Sequence, residues 1–292
     1  MKPIYRGILC FSALLSAQSL IAAEPPRLIF EAPDSLAPLA ARLSEVNPHR
    51  FRSAMQLTGV DHPGLPIRVI LARETSTLAR RAPPWASGFA VSQADTIVIM
   101  PERVHAYPYH SLEAVLVHEV AHILIARSAR GRPVPRWFDE GLAMVAAHTW
   151  GLEDRARLVW AMVAGRPISF DELDRLFKMD GADAQRAYVL AAALVRYILR
   201  NSGQSTPREI LALLAKGVPF DEAFTQVTSL TLAEVETAFW AHQTMWSRWV
   251  PVATSSAMLW LAITLLALYA FRRRQKHALA VRRRWEEEDL EP

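Results

Sequence analysis

Cysteine is almost absent from this chain. The one present, Cys10, lies near the start and follows Leu9, where a lipoprotein signal needs a small residue. Neither an internal disulfide nor a lipid-linked cysteine is therefore available. Asn-x-Ser/Thr acceptor sequences are missing as well, and there is no internal repeat. A formal net charge of +4 over 292 residues, with no basic stripe interleaved with aromatics, gives no ground for nucleic-acid binding. What charge asymmetry exists belongs to the two ends.

Lys2 and Arg6 precede an apolar stretch from Ile8 to Leu15, and Ala22-Ala23 offer small residues before Glu24. That is the layout of a secretory signal peptide, residues 1–23. Toward the other end, Val250 to Phe271 carries no charged side chain over 22 positions. At 1.5 Å per residue such a helix is about 33 Å long, enough for a hydrocarbon core of about 30 Å. Trp246, Trp249 and Tyr269 stand where interfacial aromatics stand, and Arg272-Arg273-Arg274 follow at once. One membrane span over 250–271 is expected, with residues 272–292 as a charged cytoplasmic tail. The expected location is a bacterial inner membrane, crossed once, with the domain of residues 24–245 on the periplasmic side.

Within that domain the densest chemistry is His118-Glu119-Val120-Ala121-His122. It is set in Ala114 to Ala126, a run whose only polar members are those two histidines and that glutamate. Positions four apart share a helix face, so both imidazoles can point at one atom with Glu119 beside them. Burying three ionisable groups among Val, Leu and Ile is costly unless they share a partner, and a divalent cation relieves the cost for all. Without a cation, the histidines would have to be satisfied core residues. Downstream, an Arg, Gly and Pro-rich turn leads to Pro135-Arg136-Trp137-Phe138-Asp139-Glu140-Gly141-Leu142-Ala143. Seventeen residues lie between His122 and Glu140, enough to finish one helix, turn, and return a carboxylate to the imidazoles. Two His and one Glu form the three-ligand set of a catalytic Zn²⁺ with one open position. A plain acidic residue in the first turn of a helix is the other reading of Glu140. Gly141 would let helix and metal site approach closely. Asp139 could orient a metal-bound histidine or cap the second helix. His148 is assigned no role, since a histidine in a last helical turn also suits the helix end.

These motifs resemble the gluzincin metallopeptidases, most closely the peptidase MA-like group, whose pattern is HExxH followed by W-x-x-E-G-[FL]-A. His118, Glu119, His122 and Glu140 match it position by position, over a resemblance spanning about residues 65 to 245. Ala187-Tyr188-Val189-Leu190-Ala191 resembles the Y-x-x-[GSA]-A helix of that clan. The resemblance implies a zinc-dependent hydrolase acting on polypeptide. Glu119 would be the general base, His118, His122 and Glu140 the ligands, and Tyr188, with Tyr197 as a substitute, a hydrogen-bond donor to the transition-state oxyanion. Taken alone, either tyrosine could equally anchor a helix in the core. The G-x-M-E-N strand of the aminopeptidase branch has no counterpart here, so an endopeptidase is expected rather than an exopeptidase.

The expected fold is α+β: a small β-sheet beside the zinc-binding HExxH helix, then a mainly helical lobe with the cleft between them, plus the C-terminal transmembrane helix. Leu36 to Val46 looks helical behind an Asp34-Ser35 cap. Ile67 to Leu71, Gly88 to Val91 and Thr96 to Met100 look like strands. Ser169 with Glu172 and Thr231 with Glu234 have capping-box spacing, and Thr206-Pro207 starts a helix. Phe239 and Trp240 are expected in the core. A peptidase fold kept as a membrane-tethered binding module, without turnover, is the alternative function. A structural protein with an accidental HExxH is the third.

Overall fold

The computed structural model describes residues 24–104, 109, 111–147, 150–163, 168–179, 181–253, 258, 260–261 and 263–275. Its first half builds the sheet: β1 (Leu28–Glu31), α1 (Ala37–Ser44), α2 (Arg52–Thr58), β2 (Ile67–Leu71), β3 (Gly88–Val91) and β4 (Thr96–Ile99). The rest is helical: α3 (Leu112–Ser128), α4 (Arg136–Ala147), α5 (Leu152–Val163), α6 (Phe170–Leu176), α7 (Ala182–Ser202), α8 (Thr206–Ala215), α9 (Phe220–Thr228) and α10 (Leu232–Ala253). This is the expected α+β plan, with β1 an addition that its short, half-exposed sequence did not signal.

The strands lie in the order β1-β2-β4-β3, with β1, β2 and β4 parallel and β3 antiparallel to β4 at the edge. β4 is buried along its whole length, and its period-two alternation serves two cores. Ile97 and Ile99 face the main helical core. Val98, with Met100, packs on Ala72 and Ala79 beneath the loop that follows β2. That loop is fastened by Arg103, whose guanidinium donates to the carbonyls of Ala79, Pro83 and Ala86 and pairs with both Glu74 oxygens at 2.5 and 2.8 Å.

α3 starts at Ser111, whose hydroxyl accepts from the Ala114 N–H at 3.1 Å. Apolar side chains occupy nearly all of its circumference, which suits a helix enclosed on every side. The sheet covers one flank, and α2, α4 and α8 cover the others. α4 lies along α7, and Gly141 makes this possible. A Cβ at that position would stand 2.6 Å from the Ala191 carbonyl oxygen and 2.7 Å from Val195 Cγ2. The expectation that Gly141 serves the metal site is thus corrected: one residue on from Glu140 the helix has turned by about 100°, and Gly141 faces α7.

The Thr231–Glu234 capping box forms in full, each residue's backbone N–H donating to the other's side chain at 2.8 and 3.3 Å. Ser169 accepts from the Glu172 N–H at 3.2 Å. The expected Asp34-Ser35 cap does not form. A short 3-10 turn over Asp34–Leu36 leads into α1, with no side-chain cap at either start. Phe239 is buried in the core, and Trp240, half-buried, packs against it and donates from Nε1 to the Ile168 carbonyl.

Residues 263–275 are helical. No helix among the described residues is long and apolar enough to cross a membrane. Residues 254–257, 259 and 262 of the expected span, the expected signal peptide 1–23, and residues 276–292 of the expected tail lie outside the described residues.

Candidate metal centre

α3 carries His118, Glu119 and His122 to the floor of a cleft of about 700 Å³. β3 and the Pro83–Ser87 segment form one wall, and α4 and α7 contribute the other. The turn after α3 reverses the chain, and α4 returns Glu140 to the same point. Three ligand-type atoms converge there. His118 Nε2 and His122 Nε2 are 3.0 Å apart, and Glu140 Oε2 lies 3.4 Å from the first and 3.5 Å from the second. A tetrahedral site with bonds of about 2.0–2.1 Å needs donor atoms about 3.3 Å from one another, so the triangle has the size of one ligand face. Glu140 Oε2 is buried and has no well-formed hydrogen bond among the described residues. His118, His122 and Glu140 therefore lie close enough to form a metal site, and a buried orphan carboxylate oxygen aimed at two nitrogens fits a divalent cation.

Asp139 resolves its two sequence readings in favour of orientation. Its carboxylate accepts from His122 Nδ1–H at 2.9 Å, which leaves Nε2 as the ring nitrogen that a cation would take. The N-terminus of α4 is capped from elsewhere: the N–H groups of Trp137 and Arg136 donate to Asp174 on α6 at 2.7 and 3.3 Å.

Burial dominates the electrostatics and acts differently on each group. At His118 it prevails and lowers the pKa. At His122 burial also pulls downward, but Asp139 and Glu140 outweigh it and hold the pKa well above the ordinary value. Burial would raise Glu140, yet the two imidazoles keep it far below the usual carboxylate range. At Glu119 burial prevails: His122 pulls the pKa downward, but burial, reinforced by Glu140 and Asp139, raises it to about 8. The edge strand presses on this carboxyl group: a Cβ on Gly88 would come within 3.0 Å of Glu119 Oε1 and 2.9 Å of Val115 Cγ1.

Tyr188 lines the same cleft, its ring centroid 6.5 Å from that of His118 and 5.2 Å from that of Phe177. Burial and the nearby carboxylates raise its pKa well above the ordinary value, so the phenol keeps its proton. Tyr197 is elsewhere, edge-on to Phe239 at 5.7 Å and tilted against His242 at 5.9 Å. The two tyrosines are nine positions apart on the helix, which is half a turn in projection. Its candidacy as a substitute for Tyr188 is corrected accordingly. His148 lies outside the described residues.

Several cleft residues escaped sequence reasoning. Tyr109 packs edge-on against His118 at 4.9 Å. Trp85 stands 6.3 Å from Tyr188. Arg136 reaches Glu140 Oε1 at 3.6 Å with its guanidinium over Phe177. Only Arg136 left a sequence signal, its i,i+4 spacing to Glu140.

A metal-ligand face, an oriented histidine and a buried carboxyl group thus meet under one cleft. No curated protein matches the chain. The family model of the Peptidase MA superfamily matches residues 56–245, about two thirds of the length and all of the residues just described. On that match the chain belongs to the Peptidase MA superfamily.

Proposed function

We propose that the protein is a zinc metallopeptidase, an endopeptidase that hydrolyses peptide bonds in polypeptide substrates and is anchored by one C-terminal span in a bacterial inner membrane. The observation that carries the catalytic reading is the convergence of His118, His122 and Glu140 beside the Glu119 carboxyl group in an open cleft. Zinc held by those three residues would supply Lewis-acid chemistry, lowering the pKa of a water to about 7 and polarising the scissile carbonyl. Glu119, next to the ligands and not among them, would be ionised by the charge of the bound cation, and would then take the proton of the attacking water and deliver it to the leaving amine. Tyr188 donates its hydroxyl proton in a hydrogen bond to the oxygen on which negative charge develops. Asp139 holds His122 in its working tautomer. β3 offers its unpaired edge to an extended peptide, and Gly88 keeps that edge close to Glu119.

The full-length protein, purified in detergent and supplied with zinc, tests this reading beside Glu119→Gln. One zinc per chain in both proteins, with cleavage of an unfolded polypeptide by the wild type and a fall of about 10²- to 10⁴-fold in the variant, is expected. A wild type that holds zinc but cuts nothing would make the protein a tethered binding module, and failure to hold zinc would remove both readings.

Trp246 and Trp249 before the apolar stretch 250–271, and the three arginines after it, support the anchor and its orientation. In spheroplasts, external protease should digest residues 24–245 and spare a tag fused to the C-terminus. The reverse pattern would overturn the orientation.

A further inference from the structure

Beyond His122 and Asp139 the cleft opens into a second cavity of about 370 Å³, which shares those two residues and Ser92 with the first. Ser92 and Gln93, just past the end of β3, form one side, and Arg127, Arg130 and Arg132 form the other. An extended chain lying along β3 across the metal centre would therefore run from the Trp85 end of the cleft to these arginines. Arg127 is committed to the fold: it pairs with Asp95 at 2.9 Å, and its guanidinium donates to the carbonyls of Pro63 and Leu65. Arg130 and Arg132 differ. Both are exposed, and neither makes an ion pair among the described residues. Of the nearby acidic groups, Asp139 is engaged by His122 and Asp95 by Arg127, while Glu209 lines a separate pocket on the other side of Arg130.

The backbone that carries the two arginines is ordered, and the Arg132 guanidinium lies beside Gly217, with Nη2 3.6 Å from where a Cβ on that residue would stand. Both arginines belong to the turn that joins the helix bearing the histidines to the helix bearing Glu140. Gly131 N–H donates to the Ala126 carbonyl at 2.8 Å and Arg132 N–H to that of Ala129 at 3.1 Å. A carboxylate entering this cavity would meet two positive groups that have no ion-pair partner among the described residues and whose backbone is already ordered.

We propose that Arg130 and Arg132 form a specificity subsite for an acidic side chain of the substrate, so that the protein cuts polypeptides carrying Asp or Glu at one fixed position near the scissile bond. This rests on the peptidase reading above and adds the substrate class to it.

The test uses the zinc-supplied full-length protein and a set of otherwise identical peptides in which Glu, Gln or Lys is moved through successive positions around the cut. The wild type should favour Glu over Gln by about threefold or more at one position, with Lys worst, and the preference should shrink as salt is raised. In Arg130→Ala/Arg132→Ala the Glu-to-Gln ratio at that position should fall to about one. A ratio near one in the wild type, or a preference that survives in the double variant, overturns the subsite and leaves the peptidase reading standing. Should no peptide be cut, the same Glu and Gln peptides carrying a fluorophore are titrated into the Glu119→Gln protein and followed by anisotropy. Tighter binding of the Glu peptide, lost on removing the arginines, supports the subsite independently of catalysis, and equal binding refutes it.

Discussion

His122 donates its Nδ1 proton to Asp139 across 2.9 Å, tying the middle of α3 to the first turn of α4. The bond fixes the imidazole tautomer and, with it, the direction in which Nε2 presents its lone pair. Asp139→Ala should lower zinc affinity by about 10- to 100-fold, measured by competition with a chromophoric chelator. Asp139→Asn keeps an acceptor oxygen and should lose less. Equal affinity in all three proteins would mean that α4 orients the site by packing alone.

Tyr188 and Tyr197 share a helix and face opposite ways. Tyr188→Phe should lower kcat by about 10²- to 10³-fold while KM and zinc content stay near wild type, because only an interaction made at the transition state is lost. Tyr197→Phe should leave the rate unchanged. Comparable losses in the two variants would point to a packing effect of α7 instead of a hydrogen bond to the oxyanion.

Gly141→Ala would drive a methyl group into the Ala191 carbonyl, a backbone atom with no rotamer to retreat to. The cost is expected at about 1–3 kcal/mol in chemical denaturation. Since α4 would have to move off α7 to relieve the clash, zinc affinity should fall along with stability.

The Glu74–Arg103 pair sets a pH dependence of known sign. The hydrogen bond from Arg103 holds the Glu74 pKa below its ordinary 4.5 in the folded protein. A carboxyl group lowered by folding adds stability that is present above the unfolded value and is lost as pH falls through the folded one. Glu74→Gln should thus lower Tm at pH 7, and the gap to wild type should close in acid below about pH 4. An undiminished gap at low pH would assign the effect to the packing of the loop over Val98 and Met100.

Much of the centre was legible before any tertiary contact was known, because helix geometry is local. The four-residue spacing of His118 and His122 puts both rings on one face whatever surrounds them, and Glu119 necessarily stands next to that face. The turn at Arg130 to Pro135 and the restart at Arg136 likewise follow from chain chemistry. Strands β2, β3 and β4 were readable from their apolar runs, whereas β1, short and half exposed, gains its identity only from pairing with β2.

Sequence by itself thus determined the candidate ligand set, the position of the candidate base and the α+β order of elements, since each depends on residues close along the chain. The tertiary structure alone decided that Asp139 orients His122 while Asp174 caps α4, that Gly141 serves the α4–α7 contact, and that Tyr188 faces the cleft and Tyr197 the core. It also decided that Tyr109, Trp85 and Arg136 line the centre. Those outcomes turn on which helices and loops pack together, and packing is set by the summed burial of many distant side chains, which no local spacing encodes.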